Sequence, residues 1–143
     1  MSFSKLNKKI IDKKVRVSVV GLGYVGLPLS VEFAKAGVKV EGIDISKDKV
    51  VKLKKGISYI QDVPSTDIRC VLKNKRFKPT TSFSRLKEQD AVIICVPTPL
   101  RKSRDPDISF IVDSAKKIAA NIKRETLVIL ESTSYPGTTE RYC

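Results

Sequence analysis

The chain has 143 residues, of which 41% are hydrophobic and 30% are charged, and its formal net charge is +13. This length supports one buried core and excludes the two or three domains of most complete cofactor-dependent enzymes. No apolar run approaches the roughly 18 to 20 residues that cross a bilayer, so we expect a cytoplasmic protein without a membrane partner.

The positive charge is concentrated in the middle of the chain. Residues 47–87 contain 12 lysines and arginines against three acidic residues. Basic side chains at this density could contact the phosphates of a nucleic acid, but the segment has no recognisable nucleic-acid module and few aromatic residues that could stack on bases. We favour a solvated face that also attracts anionic small molecules, and we expect no nucleic-acid partner.

The chain has three cysteines and no histidine. Cys70, Cys95 and Cys143 show no C-x-x-C spacing, which argues against a zinc site, and their odd number does not suit a disulfide framework. We predict no metal, and we expect Cys70 and Cys95 to be small core residues. Without histidine, proton transfer would fall to carboxylates, lysines, thiols or water.

Strand and helix patterns alternate along the whole chain after a basic lead-in at residues 1–14, for which we expect at most a short helix. Apolar, β-branched runs predict strands at 15–20, 38–43, 77–81, 91–96 and 127–130. Helical spacing predicts helices after the first strand, at 47–55, at 66–75 and at 108–122, a turn or short helix at 83–87 and a helix start at 136–139. Right-handed crossovers then give an α/β fold with a doubly wound parallel sheet.

A glycine motif stands between the first strand and the first helix of this pattern. Gly21, Gly23 and Gly26 follow the order G-x-G-x-x-G, and Asp44 ends the second strand 18 residues after the last glycine. Gly21 permits the tight turn, Gly23 lets the backbone approach a pyrophosphate, and Gly26 lets the helix pack close to the strand. The amino end of the helix presents free N–H groups to phosphates. Residues 15–143 are therefore predicted to form a Rossmann-type dinucleotide-binding domain.

The acidic residue at the end of the second strand favours one dinucleotide over the other. Asp44 would accept hydrogen bonds from the hydroxyls of the adenosine ribose, and its charge would repel a 2′-phosphate, which favours NAD over NADP. Lys47 and Lys49 lie close enough in sequence to weaken this repulsion. NADP therefore stays open as the alternative cofactor.

Two further loops are expected at the same edge of the sheet as the glycine turn. They follow the strands at 91–96 and 127–130, and ligands of open parallel sheets bind beyond the carboxyl ends of the strands. Thr98, Ser132 and Thr133 are then candidates for contacts with the cofactor or with a reacting group. The alternative for each is a hydroxyl that caps its own loop.

Four sequence blocks carry a family resemblance. They are GLGYVGLPLSVEFAKAG, GIDIS, CVPTPL with DPDISF, and LESTSYPGTTE. Over almost the whole chain they resemble the N-terminal NAD-binding domain of the UDP-glucose/GDP-mannose dehydrogenase family, and most closely its branch of UDP-N-acetylglucosamine 6-dehydrogenases. The resemblance implies NAD-dependent oxidation of the C6 alcohol of a UDP-sugar to a carboxylate, in two hydride transfers with a covalent thiohemiacetal between them.

The resemblance also implies roles for the residues in these blocks. The glycines hold the pyrophosphate, Asp44 and Lys49 hold the adenosine ribose, and Thr133 is the catalytic residue that orders the reacting water. Pro97 is typical of the acetamido-sugar branch. The full set implied to bind the cofactor is Gly21, Gly23, Tyr24, Val25, Gly26, Asp44, Lys49, Val96, Thr98, Ser132 and Thr133.

Other parts of the family's machinery have no counterpart in the chain. The nucleophilic cysteine, the catalytic lysine, most uridine-nucleotide contacts and the dimer core belong to later segments, and Cys143 lies outside every matching motif. We expect a fragment of a longer, homo-oligomeric enzyme that binds NAD but is inactive alone. The alternatives are a stand-alone NAD-sensing or interaction module and a basic nucleic-acid-binding domain. Arg101, Lys102 and Arg104 are either contacts for the phosphates of the UDP-sugar or solvated side chains.

Overall fold

A computed structural model describes residues 2–100, 106–134 and 136–142. In chain order the helices and strands are α1 (Phe3–Ile11), β1 (Arg16–Val20), α2 (Gly26–Lys35), β2 (Lys39–Ile43), α3 (Lys47–Lys54), α4 (Ser65–Lys73), β3 (Phe77–Thr80), a 3₁₀ turn (Leu86–Glu88), β4 (Ala91–Ile94), α5 (Ser109–Ala119), β5 (Leu127–Leu130) and α6 (Thr138–Tyr142). The predicted strands and helices are confirmed, with ends that differ by a few residues. Among the described residues, no helix has the length and apolar character needed to cross a membrane.

All five strands lie parallel in one sheet, in the order β3-β2-β1-β4-β5. Val20 is paired with Ile43 on one side and with Ile94 on the other, and Ile94 is paired with Leu130. The carboxyl ends of these strands therefore share one edge, which we call the carboxyl edge. Because the strand order reverses between β1 and β4, a crevice is expected at that edge. The predicted doubly wound α/β fold is confirmed.

Both faces of the sheet are covered, which explains the continuous apolar strands. On one face Val17 and Val19 belong to a core that includes Ile68 of α4, and on the other Val20 packs in a cluster with Ile118 of α5. Burial of each such aliphatic side chain contributes about 1.5–3 kcal/mol relative to its exposure. Because successive apolar side chains of β1 point to opposite faces of the sheet, both faces need a layer of helices to bury them.

The two outer strands of the sheet differ in sequence. β3 carries the exposed Lys78 and then Pro79, which has no N–H to donate and is tolerated at an edge. β5 reads LVIL, and Leu127 is 45% exposed. In the described part of the chain no further strand pairs with the outer side of either one.

The basic lead-in forms helix α1, which is attached to the amino edge of the sheet. Lys9 Nζ lies 2.7 Å from Asp90 Oδ1, and the N–H of Arg16 donates to Asp90 Oδ2 at 3.0 Å. Burial acts to raise the pKa of Asp90, but these two hydrogen bonds and the charges of Lys9 and Lys123 lower it overall. The carboxylate is therefore a charged anchor for the start of the chain.

Of the two cysteines predicted to lie in the core, Cys95 is confirmed and Cys70 is wrong. Cys70 is exposed, because α4 packs through Ile68 and Val71 and directs Cys70 away from the sheet. Its sulfur accepts a hydrogen bond from Asn74 Nδ2 at 3.6 Å. Cys95 is buried as predicted, and burial together with the charge of Glu131 raises the pKa of its thiol to about 11.

Candidate cofactor site

Two glycines of the turn between β1 and α2 are required by the packing of the protein itself. Gly21 has a φ of 94°, and a Cβ on it would lie 2.6 Å from the carbonyl oxygen of Cys95. A Cβ on Gly26 would overlap the carbonyl oxygen of Gly21. A side chain at either position would deform the turn.

Gly23 differs, because nothing in the fold requires a glycine there. Apart from Gly23 and its two chain neighbours, no described residue has an atom within 4 Å of a Cβ built on it, and its φ is outside the positive range. A glycine with free space around it is expected where a ligand must come close to the backbone. The space beside Gly23 is therefore where the pyrophosphate of a dinucleotide is expected.

The amino end of α2 has unsatisfied donors beside this space. No side chain caps the helix, and among the described residues the N–H groups of Gly23, Tyr24, Val25 and Gly26 find no acceptor. The first N–H of the helix with an acceptor is that of Leu27, which donates to Gly23 O at 3.1 Å. Free N–H groups at the positive end of a helix dipole attract phosphate oxygens. The backbone N–H groups of residues 23–26 are thus able to donate hydrogen bonds to the phosphate oxygens of a pyrophosphate.

Asp44 holds the glycine turn from the end of β2. Its Oδ2 accepts from the N–H of Leu22 at 2.9 Å, and its Oδ1 accepts from the N–H of Ser46 at 2.9 Å. Lys49 Nζ lies 3.4 Å from Oδ2, and the carboxylate side chain is 8% exposed. Asp44 therefore has a structural role that the sequence did not indicate, and its predicted contact with ribose stays a prediction.

Tyr59, in the loop between α3 and α4, joins the same network. Its hydroxyl donates to the carbonyl oxygen of Leu22 at 2.7 Å, and Lys49 Nζ lies 5.8 Å from the centroid of its ring. Burial, and secondarily the charge of Asp44, raise the pKa of Tyr59, so the hydroxyl keeps its proton. Tyr59 is not among the residues predicted from the sequence, where its signal is an aromatic side chain in a loop.

A cleft of about 360 Å³ opens at the carboxyl edge between the glycine turn and α5. Ile45, Val96 and Phe110 form part of its apolar lining, and Asp44 lies beside them. A flat, apolar ring such as adenine suits these walls, with the ribose toward Asp44. The predicted cofactor residue Val96 therefore lies where the ligand is expected.

The loops after β4 and β5 meet at this edge, as predicted. Ser132 Oγ donates to Val96 O at 2.8 Å, and the N–H of Ser132 donates to Ile94 O at 3.2 Å. Ser132 thus ties the two loops together, and its hydroxyl binds the neighbouring loop rather than capping its own. Thr98 is half-buried and Thr133 is exposed, and the contacts predicted for all three hydroxyls stay predictions.

The basic loop residues Arg101, Lys102 and Arg104 and the terminal Cys143 lie outside the described residues. Their predicted roles are therefore not addressed by the geometry of the site.

A second cleft, of about 180 Å³, lies at the opposite edge of the sheet. Its cations are Arg16, Lys39, Lys75, Arg76, Lys78 and Arg85. Glu41 lies among them, accepts from Gln89 Nε2 at 3.2 Å, and has its pKa raised chiefly by burial. Because β1 and β2 separate this cleft from the glycine turn, it is not part of the cofactor site.

Known proteins resemble the chain throughout this region. Residues 15–143 match the model of the UDP-glucose/GDP-mannose dehydrogenase family, NAD binding domain. The UDP-N-acetyl-D-glucosamine 6-dehydrogenase of Salmonella typhi is 35% identical over 130 residues, which are 91% of this chain and 30% of that protein. The UDP-N-acetyl-D-mannosamine dehydrogenase of Pyrococcus horikoshii is 40% identical over 129 residues, again 30% of that protein.

A solved structure agrees with the fold. The structure of a UDP-D-ManNAc dehydrogenase from Pyrococcus horikoshii superposes with a TM-score of 0.84 at 38% identity, over 90% of this chain and 31% of that one. The chain thus spans about 30% of the length of the relatives it matches. With the glycine turn, the free N–H groups and Asp44 in place, the chain belongs to the UDP-glucose/GDP-mannose dehydrogenase family, as its NAD-binding domain.

Proposed function

We propose that this domain holds NAD for an enzyme that oxidises the C6 alcohol of a UDP-sugar, UDP-N-acetylglucosamine, to the uronic acid. The observation that carries the proposal is Gly23, where the fold leaves room for a side chain and the sequence has none. Bound NAD would supply the acceptor for the hydride that leaves the sugar carbon. The residues of the domain would bind and orient that acceptor.

Each part of the site has a role in this proposal. The N–H groups of residues 23–26 bind the pyrophosphate, because they have no acceptor among the described residues and lie at a helix amino end. Asp44 and Lys49 hold the adenosine ribose. Thr98 contacts the cofactor from the loop after β4, and the exposed Thr133 orders the reacting water from the loop after β5.

The remaining chemistry would require more protein than this domain. The relatives are about three times as long as the matched region, since it covers 30% of each. We infer that the nucleophilic cysteine, the sugar pocket and the surfaces that form a homo-oligomer lie in the part of such a protein beyond the match. The domain alone would then bind NAD and convert no sugar.

Two observations bear on the choice of sugar. Relatives named for N-acetyl-D-glucosamine and for N-acetyl-D-mannosamine match the chain at similar identity. Pro97, from the acetamido-sugar branch, supports an N-acetylated sugar. The full-length enzyme should be assayed with NAD and both UDP-sugars, and two reduced cofactors per UDP-N-acetylglucosamine would support the proposal.

Binding by this chain is tested by calorimetry with NAD, NADP and a DNA duplex. We expect NAD to bind more tightly than NADP, and DNA not to bind at physiological salt. Failure to bind NAD at millimolar concentration would refute the proposal and the alternative of an NAD-sensing module together. Salt-sensitive binding of DNA would instead favour the nucleic-acid alternative.

We also propose a cytoplasmic location. The thiols of Cys70 and Cys95 are free, and free thiols suit a reducing compartment. Fractionation of the native cell, with the protein detected by antibody, tests this placement.

A further inference from the structure

We infer that Tyr59 is a positioning residue for the cofactor, acting through the peptide bond between Leu22 and Gly23. The inference rests on the proposed NAD site. It assigns a function to the loop between α3 and α4, which lies outside the glycine motif.

Both polar backbone groups of Leu22 are held by side chains from elsewhere in the chain. Asp44 Oδ2 accepts from its N–H at 2.9 Å, and the Tyr59 hydroxyl donates to its carbonyl oxygen at 2.7 Å. The side chain of Leu22 is fully buried. Leu22 is therefore fixed between the two glycines whose freedom would otherwise let the turn change shape.

The carbonyl of Leu22 and the N–H of Gly23 belong to one peptide unit. A peptide bond is planar, and in its trans form the oxygen and the hydrogen point in opposite directions. The structure has no cis peptide bond among the described residues. By holding the oxygen on the inner side, the Tyr59 hydroxyl directs the N–H of Gly23 outward, toward the space where the pyrophosphate fits.

The ring of Tyr59 has a separate effect on the ribose end of the site. Lys49 Nζ lies 5.8 Å from the ring centroid and 3.4 Å from Asp44 Oδ2. The ring thus holds the ammonium group against the carboxylate by a cation–π contact. An ammonium group held there compensates part of the Asp44 charge and so weakens the repulsion between that charge and the 2′-phosphate of NADP.

Two substitutions separate these effects. Tyr59→Phe keeps the ring and removes the hydroxyl, so NAD and NADP should both bind about three- to tenfold more weakly, the range expected for one lost hydrogen bond, with their ratio unchanged. Tyr59→Leu removes hydroxyl and ring, so the ammonium group of Lys49 is no longer held against Asp44 and the preference for NAD over NADP should also rise.

Ser58→Ala is the matched control. It removes hydrogen bonds in the same loop, where Ser58 Oγ donates to Ile60 O at 3.0 Å and accepts from the N–H of Ile60, without touching Leu22. We expect a lower melting temperature with the NAD dissociation constant of the wild type. Circular dichroism verifies that each variant is folded at the assay temperature.

The inference is overturned if folded Tyr59→Phe binds NAD as the wild type does, or if Ser58→Ala weakens NAD equally. In both cases the proposed NAD site would stand. A second readout needs no cofactor: in the NMR spectrum of the apo chain, Tyr59→Phe should shift the amide resonance of Gly23, and Ser58→Ala should not. An unmoved Gly23 resonance would refute the inference even if the wild type failed to bind NAD.

Discussion

A methyl group at Gly23 should weaken cofactor binding strongly without harming the fold. In Gly23→Ala the new Cβ meets no atom within 4 Å, and the backbone φ already suits alanine. Replacing a glycine at such a position leaves stability unchanged or raises it by up to about 1 kcal/mol, because the unfolded chain loses freedom. The methyl group instead occupies the space proposed for the pyrophosphate. Loss of one charge-assisted hydrogen bond of about 1.5–3 kcal/mol predicts NAD binding that is about 10- to 100-fold weaker.

The matched control is Gly21→Ala, two residues earlier in the same turn. Its φ of 94° and the 2.6 Å approach of the new Cβ to Cys95 O make alanine unfavourable there. The backbone conformation alone costs about 1–2 kcal/mol, and the contact adds to this. For a domain of this size each kcal/mol lowers the melting temperature by about 3 °C.

Thermal melts by circular dichroism and calorimetric titration with NAD distinguish the two variants. Gly23→Ala should melt at or above the wild-type temperature and bind weakly, and Gly21→Ala should melt at least several degrees lower. Wild-type affinity in Gly23→Ala would refute the proposed pyrophosphate site. A melting temperature as low as that of Gly21→Ala would refute the claim that the fold does not need Gly23.

Three further predictions follow from named side chains. Asp44→Asn removes the charge near the ribose, so calorimetry should find NAD weakened about tenfold and NADP less affected, and equal losses would mean that Asp44 does not contact the ribose. Folding lowers the pKa of Asp90, so its stabilisation is present above the unfolded pKa of about 3.9 and is lost as the pH falls through the folded pKa. Asp90→Asn should therefore cost about 1–3 kcal/mol in urea unfolding at pH 7, with a smaller difference at pH 3. Iodoacetamide at pH 8 should modify the exposed Cys70 and spare the buried Cys95, as read by peptide mass spectrometry.

The sequence predicts those parts of the site that depend on local signals. A β-branched run followed by a glycine-rich turn predicts β1 and its turn, and the acidic residue at the end of the next strand marks Asp44 as a site residue. Each of these features is read from a few neighbouring residues. They are enough to predict the fold class and the edge of the sheet at which the ligand is expected.

Contacts between distant segments are not available from such signals. Tyr59 meets a carbonyl 37 residues earlier, and Ser132 meets one 36 residues earlier. A tyrosine or serine in a loop has the same local pattern whether its hydroxyl faces water or a buried carbonyl. Cys70 was misplaced for a related reason, since the packed face of a short helix is decided by its neighbours in the sheet.

The sequences of the two outer strands predict which edge of the sheet pairs with another copy of the chain at high protein concentration. Lys78 and Pro79 protect the β3 edge from pairing with another chain, whereas β5 offers LVIL without a charge or a proline. With a net charge of +13, copies of the chain repel one another at low ionic strength. The Debye length, over which salt screens this repulsion, is about 10 Å at 0.1 M salt and about 3 Å at 1 M. Added salt, which often helps a basic protein to stay dispersed, should here promote association through β5.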